Sequence, residues 1–139
     1  MSGATYTIEL PYPPRSGNNT TRTGQGRHYT VKEVVAYRQR LAIAASGLGV
    51  ARLKLPGPLE VTYWLWPPDR RARDDDNVLK VLKDAMTRAG IWVDDSNQVI
   101  RRSTVIWEQP TPGGRVLVAL KPSETLDYPS KTVESERFG

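Results

Sequence analysis

From Leu59 to Trp66 the side chains alternate, with Leu59, Val61, Tyr63 and Leu65 on one face and Glu60, Thr62, Trp64 and Trp66 on the other. A period of two marks a half-buried strand, and Pro67-Pro68 ends it. Further on, Val78, Leu82, Ala85, Met86 and Ala89 recur at helical spacing. That predicts a helix over Asn77 to Ala89, capped by Asp75 or Asp76 and stopped by Gly90. Val34, Tyr37, Leu41 and Ala44 predict an earlier helix, opened by a Thr30–Glu33 capping box and closed at Gly47. Thr5 to Leu10 reads as a short strand halted by Pro11-Tyr12-Pro13-Pro14. Val99 to Trp107 and Arg115 to Leu120 read as two more strands. The Pro110–Gly114 turn between these two suggests an antiparallel hairpin.

The order β-α-β-α-β-β predicts an α+β fold, a mixed sheet of about four strands with two helices packed on it. One domain is expected over 1–121, with a polar, flexible tail over 122–139. Arg15 to His28 reads as a long loop, and a loop of that length in a compact domain is usually functional or disordered.

Composition removes whole classes of chemistry. There is no cysteine and one histidine, which excludes thiol nucleophiles, Cys-based zinc sites and mechanisms needing two histidines in one chain. No long apolar run or secretory pattern is seen, so a cytoplasmic protein without a membrane partner is expected. Twenty basic residues against fifteen acidic ones give +5. The tail carries −2 and the body +7, which points to a polyanion partner. Yet five of the acids form two knots, Asp74-Asp75-Asp76 and Asp94-Asp95, with Arg70, Arg71 and Arg73 just before the first.

A carboxylate cluster inside a basic protein suits a hard divalent cation such as Mg²⁺, which takes oxygen ligands. In an extended entry to a helix, Asp74 and Asp76 would point the same way. Lys80, four residues on, shares the helical face of Asp76 and could stabilise charge developing on a phosphate. The blander reading is a helix cap and a surface ion pair worth well under ~1 kcal/mol. Asp76 and Asp95 lie near opposite ends of a helix about 20 Å long. Within one chain, residues 90–94 would span that distance only if almost fully extended back along the helix. Two chains with antiparallel helices bring Asp76 of one beside Asp95 of the other more simply, so a homodimer sharing its metal sites is the expectation.

The run Pro68-Asp69-Arg70-Arg71-Ala72-Arg73-Asp74-Asp75-Asp76-Asn77-Val78-Leu79-Lys80 carries a resemblance. So do Asp84-Ala85 and Ala89-Gly90-Ile91-Trp92-Val93-Asp94-Asp95-Ser96-Asn97-Gln98-Val99, with Leu10–Pro14, Asn18-Asn19 and Ala36-Tyr37-Arg38 upstream. Together they resemble the RusA-type Holliday junction resolvases of bacteria and phages, over roughly residues 5 to 121. The resemblance implies a homodimeric Mg²⁺- or Mn²⁺-dependent endonuclease that resolves four-way DNA junctions by paired nicks in recombination and repair, with no organic cofactor. It places the catalytic aspartates on Asp74, Asp76 and Asp95, the catalytic lysine on Lys80 and an acidic neighbour on Asp94. In one departure, the residue between the first two aspartates is usually apolar in the family and here is Asp75; the alternation along an extended entry still favours Asp74 and Asp76 over a pair shifted by one.

In this reading Arg70, Arg71 and Arg73, with Arg15, Arg22 and Arg27, grip flanking phosphates and supply affinity rather than sequence reading. Arg101 and Arg102 point to opposite strand faces, so at most one is expected to reach DNA. Trp64 and Trp66 are expected in packing or dimer contacts, Trp92 as the core anchor of the acidic turn, and His28 as a loop residue rather than a general base. The rival is a non-catalytic module for branched DNA. A transferase holding a nucleotide diphosphate on Asp-x-Asp fits poorly, because no Gly-rich phosphate loop is present.

Overall fold

A computed structural model describes residues 5–14, 24–73 and 75–123, with the side chains of 24–31 and of Asp75 outside that description. Asp74, Arg15, Arg22 and the tail from 124 onward therefore lie outside the described residues, as do the side chains of Arg27 and His28.

The elements are β1 (Tyr6–Leu10), α1 (Gly24–Gly47), β2 (Leu59–Trp66), α2 (Asp75–Arg88), β3 (Ile100–Trp107) and β4 (Arg115–Pro122). They form the expected α+β arrangement, a four-stranded mixed sheet in the order β1-β4-β2-β3 with two helices. β4 is antiparallel to β1 and to β2, and β2 is parallel to β3 across the α2 crossover.

One sheet face is apolar because the alternating strands present it together. Ile8, Leu10, Val61, Tyr63, Leu65, Val116, Val118 and Leu120 are buried there. Tyr37, Leu41 and Ala45 of α1 and Leu82, Ala85 and Met86 of α2 complete the same core. The helices are also tied to each other. Arg38 Nε of α1 donates to Asp84 Oδ2 of α2 at 3.0 Å, and Arg88 Nε donates to the same oxygen at 3.0 Å.

Four sequence expectations are corrected. β3 and β4 do not pair as a hairpin, because β2 lies between them. The connection crosses the end of β2 instead, where Glu108 N–H donates to Leu65 O at 2.8 Å and Thr111 N–H to Pro67 O at 2.8 Å. α1 begins at Gly24 rather than at a Thr30 capping box, so His28 and Thr30 have helical backbone. Extending a formed helix backwards is far easier than nucleating one, and the sequence pattern marked only the amphipathic part. α2 begins at Asp75, two residues before Asn77, which puts Asp76 inside the first helical turn rather than at its cap. Pro122, assigned to the tail, closes β4 opposite Leu59.

Candidate metal centre and arginine loop

The acidic knots occupy the two ends of α2. Asp76 is the second residue of the helix, where the positive end of the macrodipole favours an anion. Lys80 follows one turn later on the same face, and both side chains are exposed. Asn77 stands between them, half-buried.

The other end is built by backbone. The segment from Arg52 to Leu55 runs beside residues 89–93: Arg52 N–H donates to Ala89 O at 3.0 Å, Lys54 N–H to Gly90 O at 2.7 Å, and Val93 N–H to Leu55 O at 3.0 Å. Gly90 is required here twice over. Its φ is +78°, and a Cβ would lie 3.0 Å from Arg52 Cα. Trp92 is wholly buried, and its indole N–H donates to Thr87 Oγ1 at 2.7 Å, so the chain leaves α2 in one direction only. Asp94 and Asp95 follow at once on the surface. Asp94 Oδ1 accepts the Ser96 backbone N–H at 2.7 Å, and Ser96, by side chain and backbone together, holds the Asp94 carboxyl below the usual aspartate range.

Tyr63 of β2 has no exposed surface, yet lies near enough to this turn to feel the charge of Asp95. Burial pushes its hydroxyl up; Ser103 alongside pulls it down, and the nearby charge of Asp95 adds to the rise. The hydroxyl makes no hydrogen bond of good geometry to the described protein atoms. The strand pattern marked Tyr63 only as a core position, and nothing in the linear order pairs it with Asp95.

The loop between β2 and α2 is a braced structure. Asp69 Oδ1 accepts the Arg71 backbone N–H at 3.0 Å and lies 2.9 Å from Arg73 Nη2. Arg73 Nη1 donates to Asp69 O at 3.1 Å and to Arg71 O at 2.9 Å. The Arg73 side chain, only 10% exposed, is thus folded onto its own loop, whereas Arg70 and Arg71 are exposed. Of the other aromatic expectations, Trp92 is the anchor foreseen. Trp66 is half-buried on the sheet face away from the helices, with the Arg115 guanidinium 4.8 Å from its ring centre. Arg101 and Arg102 are both exposed on β3.

Among the described residues of one chain, no three His, Asp or Glu side chains form a cluster able to hold a metal. The donor set is nonetheless of the right chemistry. Asp76, Asp94 and Asp95 offer exposed carboxylate oxygens, which suit Mg²⁺ or Mn²⁺ rather than a soft metal.

Residues 11–121 match the family described as Endodeoxyribonuclease RusA. The chain belongs to the RusA family. It is 39% identical over 112 residues to a crossover junction endodeoxyribonuclease of Enterobacteria phage 82, covering 81% of this chain and 90% of that one. To the RusA crossover junction endodeoxyribonuclease of Escherichia coli K12 it is 38% identical over the same coverage, and to that of Shigella sonnei also 38%. Both acidic knots and the arginine loop fall within the RusA match, and so do β2, α2, β3 and nearly all of β4.

Proposed function

We propose that this protein is a divalent-metal-dependent endonuclease that resolves four-way DNA junctions by paired nicks, acting as a homodimer whose two metal sites are each shared between chains. The RusA membership supports the endonuclease reading. The observation that carries the shared site is the placement of Asp76 in the first turn of α2 and Asp95 beyond its last turn. Fourteen helical residues separate the two ends by about 20 Å at 1.5 Å per residue. A two-fold axis that sets two such helices antiparallel closes that gap, placing Asp76 of one protomer beside Asp95 of its partner.

Asp76 and Asp95, with Asp74 from the sequence motif and Asp94 beside them, would hold Mg²⁺ or Mn²⁺. A cation held there would supply Lewis-acid polarisation of the scissile phosphate and acidify a water. The remaining work falls to the chain. The carboxylates repel DNA until they are neutralised, which keeps the empty protein from cutting. Lys80 stabilises the negative charge that builds on the phosphate oxygens. Arg70 and Arg71 hold flanking phosphates, and Arg73 fixes the shape of the loop that carries them. The sequence reading adds Arg15, Arg22 and Arg27 as further phosphate contacts.

The test is one gel with a synthetic four-way junction and a linear duplex, each with Mg²⁺ or EDTA. Symmetric nicking of the junction alone, and only with Mg²⁺, is the expected result. Binding without any cutting would support the rival module for branched DNA. Equal cutting of the duplex would make the protein a general nuclease.

A further inference from the structure

Trp107 ends β3 on the helix-facing side of the sheet, opposite Leu65, and is 38% exposed. A large apolar ring left open to solvent at a strand end has to be accounted for. It forms one wall of a groove of about 400 Å³ whose other walls include Pro67, Pro110 and the exposed Arg70 and Arg71, together with two acids, Glu108 and the Arg73-paired Asp69. The groove is rigid on both sides. Two backbone hydrogen bonds fasten residues 108–111 to the end of β2, and the Asp69–Arg73 brace fixes the arginine side. The groove also has a definite neighbour. Arg73 closes the loop one residue before the first acidic knot, so the groove adjoins the N-terminus of α2, where Asp76 and Lys80 stand.

We propose that this groove is a nucleobase subsite, in which Trp107 stacks on an unpaired base flanking the scissile phosphate while Arg70 and Arg71 hold the phosphates on either side. The proposal rests on the nuclease reading above and adds to it a reason for junction preference. Apolar walls with cations at the rim match a nucleotide, whose base is a flat π surface and whose backbone is anionic. In a linear duplex every base is paired and stacked, and extracting one costs free energy. At a branch point bases are more easily splayed, so a stacking site rewards the junction over the duplex. Trp107 tolerates any base, because stacking needs no hydrogen-bond match.

The test measures binding to a four-way junction in Ca²⁺, chosen to allow binding without cutting. Two junctions are compared, one intact and one abasic at the nucleotide flanking the mapped nick. Trp107→Ala and Trp107→Leu should weaken binding to the intact junction by about tenfold, and Trp107→Phe by far less. On the abasic junction the parent and Trp107→Ala should bind alike. Thermal unfolding of each variant keeps a folding defect apart from a lost contact. If Leu performs as well as Phe, or Trp107→Ala weakens both junctions equally, the inference is overturned. A parent that cuts the junction in Mg²⁺ while the Trp107 variants bind like it overturns the inference and leaves the nuclease reading standing. A parent that cuts nothing in Mg²⁺ removes both.

Discussion

The indole of Trp92 donates to Thr87 Oγ1 at 2.7 Å, tying a fully buried ring to the last turn of α2 just before the surface carboxylates Asp94 and Asp95 begin. The Thr87 hydroxyl itself donates to Lys83 O at 2.9 Å, so the chain of bonds runs from helix backbone to acidic turn. Thr87→Val keeps the volume but strands the buried indole N–H, and should cost about 1–3 kcal/mol in denaturant unfolding. Thr87→Ser should recover most of that, and nuclease activity should follow the same order.

Gly90 is predicted to be intolerant. Its positive φ and the 3.0 Å approach to Arg52 Cα leave no place for a methyl group. Gly90→Ala should destabilise by more than about 1 kcal/mol, read as a fall in urea midpoint.

Asp84 is the contrasting case. It joins Arg38 and Arg88, but its side chain is 41% exposed and those of the arginines are 32% and 58% exposed. Screened by water, the pair should contribute less than about 1 kcal/mol, so Asp84→Ala should unfold only slightly earlier and leave junction cutting intact.

Asp69 sets a pH dependence. The Arg71 backbone N–H above all, joined by the Arg73 guanidinium, holds its carboxyl below the ordinary aspartate value of 3.8 against an opposing desolvation. A carboxyl depressed in the folded state adds stability that is present above the unfolded value and lost as pH falls through the folded one. The arginine loop should therefore stay braced at pH 3.8 and open only in stronger acid. Titration of the Asp69 side-chain carbon by NMR should show a midpoint below 3.8, and Arg73→Gln should move it upward.

Much of this was legible in the sequence, and the exceptions have physical causes. The alternation in β2 and the apolar stripe of α2 identified their buried faces, because burial on one side leaves a period in the chain. Trp92 was foreseen as an anchor, since a tryptophan beside two exposed aspartates needs a core to hold it. The β3–β4 hairpin was misread because a turn sequence records only that the chain reverses, and not that β2 lies between the strands it joins. The start of α1 was misplaced because its first residues lack an apolar stripe. The charge of Asp95 felt by Tyr63, and the groove that Trp107 shares with Arg70, arise from how loops pack on the sheet, which no local pattern encodes. The brace from Arg73 to Asp69 joins residues four apart in the sequence, but three neighbouring arginines carry no mark of which one folds back onto its own loop.

The exposed arginines also predict a salt effect. Junction affinity should fall steeply as salt rises, and Arg70→Ala or Arg71→Ala should each reduce the slope of log affinity against log salt by about one phosphate contact.

The shared metal site is tested most directly by mixing an Asp76→Asn protein with an Asp95→Asn protein under conditions where subunits exchange. In each mixed dimer one site carries both substitutions, and the other combines an intact Asp76 with an intact Asp95. Mixing two inactive proteins should therefore restore Mg²⁺-dependent incision, and the product should be junctions nicked in one strand. No incision, with mixed dimers confirmed by mass, would contradict the account and return both carboxylates to a single chain.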